Sequence, residues 1–215
     1  MIRKTVAAAL WMLSAATFAS AQSPETQEEH AYGSNTIRIA PITAMDAGVG
    51  FGLSYERILG KDQMIGLVLP VSMILENKQH NDLGSMYNTA RYNTYVYFTP
   101  GLKIYPMGQR RVTYAVGPSL LLAWGGGNQW QYRSDLTGTY LEDVKMTRLR
   151  LGMLVTNYVN FQISRSFNLG LEGALGVRYY DRTSYSGPAS YAGNGEFSNG
   201  FDITGQFSLS FGYRF

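Results

Sequence analysis

From Phe201 to Phe215 the sequence FDITGQFSLSFGYRF alternates apolar and polar residues without a break. Phe201, Ile203, Gly205, Phe207, Leu209, Phe211, Tyr213 and Phe215 fall on one face, and Asp202, Thr204, Gln206, Ser208, Ser210, Gly212 and Arg214 on the other. A side-chain period of two is that of a β-strand with one greasy and one wet face. A strand this long, with an apolar face this rich in phenylalanine, suits contact with lipid as well as burial in a protein core. The rest of the chain has to decide between the two.

The same alternation recurs upstream. Leu169 to Tyr180 and Thr147 to Ile163 repeat it, the latter with Leu154 as the one apolar residue on its inner face. Val112 to Trp124 does so with Pro118 in mid-strand, which removes a ladder donor and predicts a bulge. Tyr92 to Tyr105 sends Asn93, Tyr95, Tyr97, Thr99 and Lys103 inward; Val49 to Leu59 alternates likewise; Thr36 to Ala44 is a first strand. Met64 to Leu75 is almost wholly apolar and contains Pro70, yet it is too short for a transmembrane helix. The expected fold is therefore all-β, an eight-stranded antiparallel transmembrane β-barrel spanning residues 36–215.

Connection lengths support the barrel over a soluble sandwich. Gly60 to Asp62, Pro106 to Arg111 and Ser164 to Ser166 are short turns on one side. Met45 to Gly48 and the long polar segments Glu76 to Arg91, Gly125 to Lys145 and Asp181 to Gly200 lie on the other. Outer-membrane barrels segregate short periplasmic turns from long extracellular loops, whereas a sandwich has no reason to. Trp124, Tyr92, Tyr179 and Phe201 would then form one interfacial girdle, with Tyr114, Phe161, Tyr213 and Phe215 forming the other.

The N-terminus fits an exported protein. Arg3 and Lys4 precede the apolar stretch Val6 to Phe18, and Ala19-Ser20-Ala21 satisfies the small-x-small cleavage rule, so residues 1–21 read as a signal peptide followed by a short polar segment over 22–35. Of the 18 basic and 15 acidic residues, the leader holds two basic ones, which leaves the remainder close to neutral. Balanced charge excludes a nucleic-acid binder, which needs a clustered basic face. Cysteine is absent, so neither disulfides nor thiolate metal sites contribute.

A barrel of about eight strands has an interior just wide enough to be filled by side chains. The charges aimed at it are Arg38, Glu56, Lys103, Arg148, Arg150, Glu172, Arg178, Asp202 and Arg214. In a lumen of low dielectric they are expected to pair, Arg178 with Glu172 or Asp202 and Glu56 with Lys103 or Arg38, forming a plug; a gated path for ions or small solutes is the alternative. Catalytic groups are sparse. His80 with Asp82 and Ser85 has the residue types of a hydrolytic site but no register to orient them, so no catalytic, cofactor or metal site is expected. Gly125-Gly126-Gly127 lacks the Lys and Ser or Thr of a phosphate loop and reads as loop flexibility. Trp130, Tyr132, Tyr185 and Tyr191, set among Ser, Gly, Asn and Gln, are candidate loop contacts for an extracellular protein or glycan.

In its strand pattern, its loop asymmetry and its terminal Phe215, the chain from Thr36 onward resembles the small bacterial outer-membrane β-barrel superfamily of the OmpA transmembrane domain and the OmpX-like proteins. The resemblance implies residence in the outer membrane among lipid and lipopolysaccharide. It further implies insertion by the barrel assembly machinery, with Phe211, Tyr213 and Phe215 as the insertion signal. The expectation is a monomeric, non-enzymatic barrel with a structural or surface-interaction role.

Overall fold

A computed structural model of the chain describes residues 33–46, 48–60, 62–78, 91–135, 138–186, 196–198 and 201–215. The predicted signal peptide, His30, His80, Asp82, Ser85 and Tyr191 lie outside the described residues. Ten strands follow in chain order: β1 (Asn35–Met45), β2 (Gly48–Leu59), β3 (Ile65–Lys78), β4 (Arg91–Phe98), β5 (Gly101–Ile104), β6 (Val112–Asp135), β7 (Gly138–Gln162), β8 (Phe167–Ser186), β9 (Glu196–Ser198) and β10 (Asp202–Arg214). Every pairing is antiparallel, and β10 pairs with both β1 and β8, which closes the sheet on itself. β4 and β5 act as one stave between β3 and β6, and β9 pairs with the upper part of β8 in line with β10, so the barrel has the eight expected staves.

Proline chemistry explains why one stave is broken in two. Thr99 N–H donates to the Pro70 carbonyl at 3.1 Å and Leu120 N–H to the Pro100 carbonyl at 2.9 Å. The return bonds would need N–H groups on Pro70 and Pro100, which have none, so the ladder lapses between Phe98 and Gly101 without losing register. The bulge expected at Pro118 does not form: Pro118 pairs with Val155 in an unbroken β6–β7 register. The bulges lie elsewhere. One extra residue enters β1 between Ile39 and Ile42, at Pro41, against both of its neighbours, and another enters β8 between Arg178 and Tyr180, opposite Leu151 and Gly152. Each reverses the face on which the following residues lie.

The upper end also departs from expectation. Gly125 to Asp135 and Gly138 to Lys145 are strand, not loop, because the β6–β7 register continues from Gly125↔Arg148 out to Asp135↔Gly138 as a long ribbon. Part of the expected last loop is strand as well, since β8 runs to Ser186 and takes β9 against Asp181 to Thr183. Gly125 and Gly126 are strand residues and serve close approach rather than loop flexibility: a Cβ on Gly125 would run into the Thr94 carbonyl, and one on Gly126 into that of Met146. Strand β6 therefore sits tightly between its neighbours at the rim.

The burial pattern is inverted relative to a soluble protein. Among the described residues the exposed surface carries Ile37, Phe51, Leu67, Met73, Leu120, Met153, Val155, Leu175, Phe207 and Phe211, while polar and charged residues outnumber apolar ones in the interior. An exterior of this kind is stable only in an apolar solvent. The two predicted girdles are where the alternation placed them. Trp124, Tyr92, Tyr179 and Phe201 are exposed at the upper rim. At the lower rim Phe161, Tyr213 and Phe215 are exposed and Tyr114 is half-buried, and Phe167, outside the predicted girdle, joins Tyr213 and Phe215 in a ring cluster with centroids 5.4 and 6.2 Å apart.

Glycine packing gives a paired test. Gly126→Ala is expected to cost about 1–3 kcal/mol, the range for overpacking. Gly205→Ala, whose Cβ would meet its nearest atom at an ordinary 3.5 Å, is expected to stay within about 0.5 kcal/mol. Urea midpoints in lipid vesicles measure both.

Candidate functional site

The lumen is where this sequence places its chemistry, and it is organised in layers. In the lower layer Glu56, on β2, is fully buried and accepts three bonds: from Arg38 Nη1 on β1, from Lys103 Nζ on β5 at 2.9 Å, and from the Tyr105 hydroxyl. Arg38 Nε also donates to Asn168 Oδ1 at 3.3 Å, and Lys103 Nζ lies 4.0 Å from the centre of the Tyr158 ring. Glu172 is buried on β8, opposite Tyr158 on β7 and Ser208 on β10. Two cations and two carboxylates thus share one stratum, which is neutral as a whole. Three charge-assisted donors on one carboxylate are what a buried anion requires.

An apolar stratum lies beside this layer. Met45, Ile74, Leu121 and Leu154 pack with Tyr95 and Tyr97 inside the barrel. At the upper mouth Asp46 forms a hub. Its φ of 53° is the left-handed conformation demanded by the two-residue turn between β1 and β2, and Asp tolerates it well. The carboxylate accepts from Thr204 Oγ1 at 2.6 Å, Arg178 Nη1 at 3.0 Å, Arg150 Nη1 at 3.3 Å and the Tyr97 hydroxyl at 3.3 Å. Arg150 also donates to the Tyr97 hydroxyl at 2.7 Å, stacks 4.5 Å over the Tyr95 ring and lies within 4 Å of Glu76 and Asp181. Arg148 grips Asp181 with two parallel bonds of 2.6 and 2.5 Å, the bidentate fork that arginine favours. Arg178 reaches Asp202 at the rim.

Of the expected lumen charges, Arg38, Glu56, Lys103, Arg148, Arg150, Arg178 and Asp202 form ion pairs. Glu56 pairs with both of its anticipated partners. Arg178 pairs with Asp202 and not with Glu172, which lies six residues back along β8, about 20 Å at strand rise. Asp202 itself is 68 % exposed, so it caps the mouth rather than filling the lumen. Arg214 closes the lower end, donating to the Gly33 carbonyl at 2.5 Å and to Gln109 Oε1 at 3.0 Å. Asp46, Glu76 and Asp181, which supply the carboxylates of the upper layer, were assigned to loops by the sequence pattern. Only Glu76 carries a readable signal, because it continues the inward parity of Ser72 and Ile74.

Two cavities in the lumen, one by Arg38, Asn160 and Arg214 and one by Ser54, Ser72 and Glu172, each hold about 10 Å³, room for about one water. Among the described residues no group of three or more metal-ligating side chains occurs.

No family model and no curated protein matches the sequence. Solved structures do. A major outer membrane protein of Thermus thermophilus superposes with a TM-score of 0.55 at 17 % identity, covering 84 % of this chain and 99 % of its own. The outer membrane protein OprG of Pseudomonas aeruginosa superposes with a TM-score of 0.51 at 12 % identity, covering 86 % and 97 %. The fold is that of the small outer-membrane barrels. Within this barrel fold the candidate contact residues occupy unexpected positions. Trp130 and Tyr132 lie on the β6 ribbon rather than in a loop, and Tyr185 lies on β8 opposite the buried Met146 and is itself half-buried.

The two ends of the charge network should respond differently to mutation. Glu56→Gln strands two buried cations and is expected to cost about 3–5 kcal/mol. Asp202→Asn, at an exposed pair, should cost less than about 1 kcal/mol. Chemical unfolding of vesicle-inserted protein checks both, and equal losses would contradict the layered arrangement.

Proposed function

We propose that this protein is a monomeric, non-enzymatic barrel of the bacterial outer membrane whose role is structural or surface interaction, carried by its upper, extracellular end. The observation that carries the reading is the packed lumen: charge layers and an apolar stratum occupy the bore, and the two cavities beside Arg38 and Glu172 each have room for about one water. A chain that seals its interior and extends one wall has its useful surface on that wall. Beyond Gly125 the β6–β7 ribbon continues for roughly 35 Å along the strand and carries Trp130 and Tyr132. Aromatics on a polar ribbon suit adaptable contact with a protein or a glycan. The exposed apolar belt supports insertion among outer-membrane lipid and lipopolysaccharide, and Phe211, Tyr213 and Phe215 suit recognition of the terminal strand by the barrel assembly machinery.

The competing reading is a narrow passive pore, which the polar lining of the lumen favours. Conductance of the purified protein in a planar bilayer decides between them. The expected record is free of stepwise openings; reproducible unit steps from wild-type protein would replace the surface role with the pore.

A further inference from the structure

The outward face of the upper wall carries a patch that the filled lumen does not explain. Antiparallel register places Arg182 on β8, Leu149 on β7 and Trp124 on β6 side by side in one row. Two residues higher, Thr147 lies opposite Gly126. Two residues higher again comes Lys145, and Tyr92 sits near the same height on β4, two residues past Thr94, the partner of Gly126. Lys145 and Arg182 are exposed, and so are Trp124 and Tyr92, at 64 % and 60 %. Gly126 has no side chain and Thr147 a short one, so the middle of the patch is low between two cations and two aromatic rings, with the exposed Asn128 in the row of Lys145 and Tyr92; we refer to it as a depression.

We propose that this depression binds the headgroup of a phosphorylated glycolipid in the outer leaflet. The inference rests on the outer-membrane reading given above. Lys145 and Arg182 are four residues apart in register on adjacent strands, about 14 Å by strand geometry. With side chains this long, the two cations can reach separate phosphates of one headgroup. The exposed faces of Trp124 and Tyr92 offer stacking to sugar rings, and guanidinium and ammonium groups are the natural partners of phosphate. Leu149 and Val96 flank Trp124 in its own row and Leu122 lies in the row below, all exposed and apolar. A soluble glycan has no use for such a wall, whereas the acyl chains of a lipid whose headgroup fills the depression would run down it. Position and polarity therefore favour a membrane lipid over a soluble ligand.

The test uses wild-type protein folded into phosphatidylcholine vesicles doped with bisphosphorylated lipid A or with the same glycolipid stripped of its phosphates. Glycolipid retained per protein after mild detergent extraction is counted by native mass spectrometry. Wild-type protein should retain the phosphorylated form about tenfold or more over the stripped form, since each cation near an anionic lipid surface contributes about one factor of five. The double variant Lys145→Gln/Arg182→Gln should lose that preference, while Arg57→Gln/Arg165→Gln, exposed cations at the opposite end, should keep it. Equal retention of the two glycolipids by wild-type protein overturns the proposal without reference to any variant. So does a double variant that behaves as wild type. Failure of the wild-type chain to insert into vesicles at all, read by far-UV circular dichroism on the same samples, removes the outer-membrane reading and this inference together.

Discussion

Ring closure between β1 and β10 is the constraint on which the rest of this structure depends. An open sheet has two edges of unpaired N–H and C=O groups, and in an apolar solvent each such group is costly to leave without a partner. Here Thr36 to Met45 pairs with Gln206 to Arg214, while Asp202 to Tyr213 pairs with β8 on its other side, so the last strand of the sequence completes the ladder of the first. Backbone bonds at the very ends, Asn35 N–H to the Phe215 carbonyl at 3.0 Å and Phe215 N–H to that of Asn35 at 2.9 Å, hold the seam to its final residue. Closure of eight staves then sets the bore, and a bore of that width must be filled with side chains.

Filling it with charge would be unfavourable unless each charge meets its opposite. Most interior charges meet that condition, in two separate groups, Glu56 with Arg38 and Lys103 below, and Asp46, Glu76 and Asp181 with Arg148, Arg150 and Arg178 above. The apolar cluster around Leu121 and Leu154 is part of the same interior. Tyrosines join both groups as neutral donors, Tyr105 to Glu56 and Tyr97 to Asp46. The polar interior therefore functions as a core with hydrogen bonds in place of most of its hydrophobic contacts, and the hydrophobic surface faces outward.

The alternation of the sequence was sufficient for the staves because a period of two survives wherever one face must be lipid-compatible. It located Leu154, Tyr95, Tyr97 and Lys103 inside and the girdle aromatics outside. It failed where nothing forces the period or where a bulge reverses it. Asn128 to Asp135 is strand held by pairing with β7 alone, above the height at which an apolar face is required, so its polar composition resembled a loop. Asp181 escaped notice because the extra residue near Tyr179 exchanges the faces before it, and Asp46 because it sits in the turn after β1, where no alternation applies. Proline was likewise misleading on its own: Pro118 is absorbed without a register shift, while Pro41 takes the bulge. Which of two prolines bends a ladder depends on partner strands that a single segment does not reveal.

The claim at the centre of this account is a closed barrel with lipid outside and paired charges within. It is tested most directly by electrophoresis of detergent-folded protein, unheated against boiled, with far-UV circular dichroism of the same sample. The account predicts a β-rich spectrum and faster migration of the unheated form, because a closed ladder resists denaturing detergent until heat breaks it. Identical mobilities, with the protein soluble and β-rich in the absence of detergent, would contradict it.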